Sequence, residues 1–156
     1  MSEKAAKPYT AGQAKLFKTL LIKPLSQVNT WLYRLSSGKV GGRMPQGQPI
    51  LLLTTTGRKS GQPRTTPLLY LQEGDNVVLV ASQGGLPHHP LWYQNLEVNP
   101  DVEIELGTEK RAMRARRATE EEKKTLWPKL VAMYGSFDTY QARTQRNIPV
   151  VILSPR

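Results

Sequence analysis

Apolar residues recur at two different periods along this chain, and the change of period divides it. From residue 12 to 35, Leu16, Phe17, Leu20, Leu21, Val28, Trp31, Leu32 and Leu35 return every three or four positions, with Lys15, Lys18, Lys23 and Arg34 interleaved. That is the pattern of an amphipathic helix. Pro24 falls inside it, and an interior proline removes a backbone bond and clashes with the preceding turn, so two helical pieces or a kink are predicted. The stretch "SSGKVGGRMPQGQP" then separates this arm from the rest of the chain. The expected organisation is an arm and linker over 1–43 and a folded body over 44–156.

The body reads mostly as strands. "PILLLTTT" and "RTTPLLYL" flank the loop "GRKSGQP", "NVVLVAS" follows the turn "QEGD", and "DVEIEL" alternates acid and aliphatic with period two. In "EKRAMRARRA" Met113 and Ala115 can face inward while Arg114 and Arg116 face outward. "PLWYQNLEVNP" has room for one short helix bracketed by prolines. "ATEEEKKTLWPKLVAMYGSFDTYQARTQ" reads as helical, with Thr119 as N-cap and three glutamates where the helix dipole favours negative charge. "IPVVILS" closes the chain. Six short strands, mostly in hairpins, with helices inserted late, predict a small antiparallel barrel of α+β class.

Composition narrows the chemistry. With no cysteine, disulfides, thiolate catalysis and Cys-based zinc sites are excluded. His88 and His89 are adjacent and have no carboxylate cluster around them, so they read as loop residues and no metal site is expected. No segment has the roughly 20 continuous apolar residues of a membrane span, and the start "MSEKAAKPYT" lacks the apolar core of a signal peptide. A cytoplasmic location is expected. Of the 22 Lys and Arg, eight lie in residues 1–43 against the single acid Glu3, so most of the net charge of +10 belongs to the arm.

The loop between the first two strands carries Arg58, Lys59 and, just beyond it, Arg64, more cations than a turn requires. It is not a Walker A motif, since the glycine that should stand five residues before the Gly-Lys pair is missing, and no G-x-G-x-x-G occurs. Two readings stay open on the loop alone: a Gly-framed cradle for a phosphate or carboxylate, or a solvated basic hairpin. Likewise "ASQGGLPHHPLWYQN" is either a bed of small residues with Trp92 as a stacking wall for a flat ligand, or a loop beside a core tryptophan.

Taken together, "LLLTTTGRKSGQPRTTPL", "ASQGG", "HPLWYQNLEVNPDVEIELG", "ATEEEKKTLWPKLVAMYGSFDTYQ" and "RNIPVVIL" resemble the deazaflavin (F420)-dependent nitroreductase and quinone reductase family, from about residue 26 onward. The resemblance implies a split β-barrel and coenzyme F420, an 8-hydroxy-5-deazaflavin with a phosphate and an oligoglutamate tail, whose reduced form donates hydride. It implies that Arg58, Lys59, Ser60 and Arg64 hold the phosphate and tail, and that Pro67, Ala81, Ser82, Gln83, Gly84 and Gly85 bed the ring with Trp92 and Asn95 close by. Tyr134, Phe137 and Tyr140 match positions lining the substrate side, with Tyr134 or bulk water supplying the proton and Ser82 able to bond the acceptor's oxygen. Gln83 stands where relatives carry Lys, and Phe137 where a Tyr occurs. The acceptor implied is a quinone, an activated-alkene lactone of the coumarin or aflatoxin type, or a nitroaromatic.

Two other readings accompany this one. The same barrel serves flavin mononucleotide enzymes, and a basic protein whose Arg111, Arg114, Arg116 and Arg117 track phosphates is the alternative from another class. No nucleic-acid motif is present, and a monomer is expected. Residues 26–36 are expected to dock on the barrel through Trp31, Leu32 and Leu35, leaving residues 1–23 mobile and able to bind an anionic membrane surface on its inner face.

Overall fold

The computed structural model describes residues 8–17 and 23–156. Two helices, α1 (Ala11–Phe17) and α2 (Lys23–Leu35), precede β1 (Ile50–Thr56), β2 (Pro63–Leu69), β3 (Leu71–Glu73) and β4 (Asn76–Val80). After a short turn at Gln83–Gly85 come α3 (Leu91–Val98), β5 (Asp101–Leu106), β6 (Glu109–Arg117), α4 (Glu120–Met133), α5 (Ser136–Arg143) and β7 (Val150–Pro155). The two helical pieces predicted from Pro24 are present, with Pro24 in the first turn of α2, where its missing N–H leaves no helical bond unmade. Residues 18–22 between them, with Lys18, Leu20 and Leu21 of the predicted stripe, lie outside the described residues.

The sheet has seven antiparallel strands in the order β2-β1-β5-β6-β7-β4-β3. Six were expected. The run "RTTPLLYL" divides at Tyr70, its first part pairing with β1 and its last residue, Leu71, opening the three-residue β3 that pairs with β4. The two edge strands of the sheet are thus consecutive pieces of one chain, joined through a single residue, which requires the sheet to curl into a barrel. Pro63 and Pro67 sit on the β2 edge, where a missing donor costs no ladder bond.

Side-chain alternation sorts the core into two clusters. Leu51, Leu53, Val77, Leu79, Val102, Ile104, Met113, Ala115, Val151 and Leu153 fill the barrel interior. Their neighbours Val78, Val80, Val150 and Ile152 point outward beneath Leu126 and Leu130 of α4 and Phe137 of α5. β4 and β7 are therefore apolar on both faces, whereas β5, whose outward face is open to solvent at Asp101 and Glu103, keeps the alternating "DVEIEL". Thr119 starts α4 in a full capping box, its Oγ1 accepting from Glu122 N at 3.2 Å while Glu122 Oε1 accepts from Thr119 N at 3.0 Å.

α2 docks on the barrel, but through different residues than the stripe predicts. Tyr33 is buried, its hydroxyl donating to Glu105 O at 3.1 Å and accepting from Gly107 N at 2.7 Å. Arg34 Nη2 reaches the buried Glu105 carboxylate at 2.9 Å. Beyond the end of α2, Gly38 takes φ +81°, and a Cβ there would lie 2.8 Å from Gly107 Cα, so only glycine allows this close approach. Val28, Trp31 and Leu35 are 55%, 62% and 66% exposed. The periodicity located the helix correctly; of the three residues expected to dock, Leu32 is half-buried while Trp31 and Leu35 point to solvent, because the barrel offers hydrogen-bonding groups at the β5–β6 turn that Tyr33 and Arg34 satisfy.

Candidate functional site

β1 and β4 run in the same direction, since each of the four pairings that separate them in the sheet is antiparallel. The loop after β1 and the turn after β4 consequently leave the same end of the barrel, which brings the cationic loop and the "ASQGG" segment to one face.

The loop is a closed structure. Gly57 N donates to Gln62 O and Gly61 N to Gly57 O, both at 2.8 Å, and Gln62 N donates to Ser60 Oγ at 3.2 Å. Asn95 braces it from α3: its buried Oδ1 accepts from Arg58 N at 3.1 Å and its Nδ2 donates to Thr55 Oγ1 at 3.1 Å. Arg58 Nη2 donates to Gln94 Oε1 at 2.9 Å and Arg64 Nη2 to Ser60 Oγ at 3.3 Å. Arg58, Lys59 and Arg64 are exposed, and none pairs with a carboxylate among the described residues. The contrast with the strand proposed to track phosphates is direct: Arg111 pairs with Glu109, Arg114 with Asp101 and Arg116 with Glu122. Of the four arginines proposed to track phosphates, Arg117 alone has no ion pair among the described residues, whereas all three cations of the loop lack one, a charge balance that suits the loop better than β6 to an anion.

The segment after β4 turns sharply. Ser82 is right-handed at φ −77°, while Gln83, Gly84 and Gly85 follow at φ 44°, 64° and 78°. A Cβ at Gly85 would come within 2.7 Å of Tyr140 O, so α5 lies directly on this turn. Ala81 and Ser82 are buried, and Gln83 Oε1 is buried without a hydrogen-bond partner. Trp92 is packed in the barrel interior edge-on to Tyr93, the core position of the two readings that the sequence left open.

On the other side of the turn stand Tyr134, at the end of α4, and Tyr140 of α5, their hydroxyls 3.1 Å apart. Burial, and then the bond to Tyr134, push the Tyr140 pKa well above its ordinary value, so this hydroxyl stays protonated. Phe137 is buried in the outer core cluster behind the two tyrosines, 5.1 Å from the Tyr134 ring.

Two arginines that sequence reasoning passed over complete the site. Arg143 Nη1 donates to Gly84 O at 3.2 Å and to Tyr9 OH at 3.0 Å, and its guanidinium lies over the Tyr9 and Tyr140 rings. Tyr9 is thereby held against α5, so the expectation that everything before residue 24 stands free of the body is corrected at this position; residues 1–7 lie outside the described residues. Arg146 binds the carbonyls of Ala81, Ser82 and Leu86 and the Nδ1 of His89. His89, read as a loop residue, does lie in a loop but joins this network, and burial followed by Arg146 pushes its pKa down. The segment "RNIPVVIL" was a signal for Arg146; nothing in its spacing revealed that its partners lie about 60 residues earlier. No helix among the described residues is long and apolar enough to cross a membrane, and no cluster of His, Asp and Glu there could hold a metal.

Comparison with known proteins places these features in one family. Residues 25–155 match the family model described as F420H(2)-dependent quinone reductase. An F420H(2)-dependent quinone reductase of Mycobacterium tuberculosis (strain ATCC 25618 / H37Rv) is 42% identical over 135 residues, covering 85% of this chain and 91% of that protein. A solved F420-H2 dependent reductase (FDR-A) superposes with a TM-score of 0.63 at 41% identity, over 68% of this chain and 94% of that one. Another solved relative, described as a domain-swapped dimer, gives a TM-score of 0.66 at 37% identity over 85% of this chain and all of its own. With the family model matched over 25–155 and these relatives covered over most of their length, the chain belongs to the F420H(2)-dependent quinone reductase family.

Proposed function

We propose that this protein transfers hydride from reduced coenzyme F420 to a quinone, with activated-alkene lactones and nitroaromatics as further acceptors. The observation that carries the reading is the group of three cations, Arg58, Lys59 and Arg64, without acidic partners, in a loop braced by Asn95 at the end of the barrel where the Ala81–Gly85 segment turns. The residues fit the cofactor. Uncompensated guanidinium and ammonium groups suit a phosphate and glutamate tail, and the orphaned Gln83 Oε1 is an acceptor of the kind that a ring N–H or hydroxyl satisfies.

When bound, the deazaflavin supplies the hydride chemistry. The chain's own residues orient and shield. Arg58, Lys59, Ser60 and Arg64 anchor the charged tail; Pro67, Ala81 and the Gly84 and Gly85 backbone shape the ring's bed; Trp92 supports that bed from the core. Tyr134 delivers the proton that the reduced acceptor requires, with Tyr140 hydrogen-bonded behind it, and Ser82 bonds an acceptor oxygen. Deazaflavin absorbance should change only when enzyme and acceptor are both present. Absence of turnover across quinones, coumarin-type lactones and nitroaromatics would defeat the proposal.

The exposed stripe Val28, Trp31 and Leu35 supports a location on an anionic membrane surface, where lipid quinones are found. Full-length protein should pellet with anionic vesicles, less so at high salt, and protein lacking residues 1–23 should pellet less. A concentration-dependent dimer that buries Trp31 in the absence of lipid would assign the stripe instead to a second copy, the arrangement that the domain-swapped relative makes relevant.

A further inference from the structure

Arg146 sits between α5 and β7 with every bond of its guanidinium directed at a neutral acceptor. Nε donates to Leu86 O at 2.8 Å, Nη1 to Ala81 O at 3.1 Å and His89 Nδ1 at 2.9 Å, and Nη2 to Ser82 O at 2.6 Å. No carboxylate pairs with it among the described residues, in contrast to Arg34, Arg111, Arg114, Arg116 and Arg156. Arg146 is half-buried, and this partial desolvation, with no carboxylate beside it, pushes its pKa down. His89 adds no charge of its own here: by accepting at Nδ1 it carries its proton on Nε2 and is neutral. Removing a cation from water is costly, and clamping three carbonyls does not by itself require one.

The geometry of the peptides shows where the charge is felt. In a trans peptide the C=O and N–H point in opposite directions. The Ala81 and Ser82 carbonyls are aimed at Arg146, so the N–H groups of Ser82 and Gln83 point away from it, out of the turn. A right-handed Ser82 followed by left-handed Gln83 and Gly84 makes successive N–H groups converge into an anion-binding concavity. Charge-assisted bonds to the carbonyl ends polarise both peptides and strengthen the donors at their other ends.

We infer that Arg146 is a positioning residue for the hydride transfer: it aims and polarises the Ala81–Ser82 and Ser82–Gln83 peptides so that their two N–H groups receive an electron-rich carbonyl edge of the deazaflavin, favouring the reduced ring over the oxidised one. The inference rests on the F420 reading of this site. Hydride addition brings two electrons and one unit of negative charge to the ring, and the reduced ring in this anionic form is the better acceptor of such bonds. Arg143, whose Nη1 reaches Gly84 O at 3.2 Å, touches the Gly84–Gly85 peptide, two further along, and shares its charge with the Tyr9 hydroxyl.

The test is the ratio of affinities for reduced and oxidised F420, measured by titrating wild type, Arg146→Gln and Arg146→Lys, with thermal unfolding followed in parallel without cofactor. Wild type should bind the reduced form more tightly. Arg146→Gln, which keeps a donor and loses the charge, should lower affinity for the reduced form by about tenfold more than for the oxidised form, the step from a neutral to a charge-assisted bond. Arg146→Lys should weaken both forms and keep the wild-type ratio. Equal losses for both forms in Arg146→Gln, or wild type binding the two forms equally, would reduce Arg146 to a clamp; the wild-type measurement decides the matter even if Arg146→Gln does not fold. Failure of wild type to bind either form would instead overturn the cofactor reading itself.

Discussion

Asn95 on α3 fixes the backbone of Arg58 from 37 positions away, its Oδ1 accepting from the Arg58 N–H while the other half of the same amide donates to Thr55 Oγ1. The cationic loop is thus positioned by a buried side chain and is no free hairpin. Replacing Asn95 by Ala leaves an N–H and a hydroxyl unpaired, and stability should fall by about 1–3 kcal/mol. Urea unfolding measures the loss, and F420 affinity should fall with it. Unchanged stability would mean that the brace is dispensable.

Arg64→Ala removes one charge-assisted contact and should weaken F420 binding by about 1.5–3 kcal/mol. The side chain is exposed and, among the described residues, bonds to Ser60 Oγ alone, so the melting temperature should hardly move. Wild-type affinity in the variant at low salt would restore the solvated-hairpin reading of this loop.

Tyr134→Phe keeps the aromatic packing against Phe137 and removes the proposed proton donor. Turnover should drop by about 10²–10⁴-fold at unchanged cofactor affinity, the usual worth of general-acid help. Tyr140→Phe, which removes only the partner hydroxyl, should cost much less. Equal, small effects in both variants would hand the proton to bulk water.

Glu122 is held at about 2, below its ordinary 4.5, chiefly by the Arg116 guanidinium and then by the Thr119 N–H. A carboxylate whose pKa is depressed by folding stabilises the fold above its unfolded pKa, and that contribution is lost as pH falls through the folded value. The melting temperature should therefore decline between pH 4.5 and about 2 more steeply in wild type than in Glu122→Gln. Parallel acid profiles would show that the pair adds nothing measurable.

What the sequence disclosed follows the range of the forces involved. Alternation in "DVEIEL" and the capping signal at Thr119 are local, and both elements stand where they were expected. The break of "RTTPLLYL" at Tyr70 depends on barrel closure, which no local pattern encodes. The same limit applies to α2: the stripe through Trp31 is genuine, but whether a stripe meets the body depends on what the body presents, and here it presents the Glu105 carbonyl and Gly107 N–H to Tyr33. In the candidate site, the three loop cations drew attention because a turn does not require them, and the glycines because positive φ does; on the residues alone both kept a bland reading beside the functional one. Arg143 and Arg146 were not, because an arginine bound to distant carbonyls looks in sequence like any surface arginine.

The place of β7 in the sheet has a consequence for how the protein comes into being. This strand follows every other in the chain, yet it lies between β6 and β4 and pairs with both. Until residues 150–155 leave the ribosome, β4 has only the three-residue β3 beside it, and Val77–Val80 expose an unpaired apolar edge. Completion of the barrel, and with it of the site at the end of β4, is a late event of synthesis, and a chain stalled just before Val150 is left with the sticky edge that a finished molecule conceals.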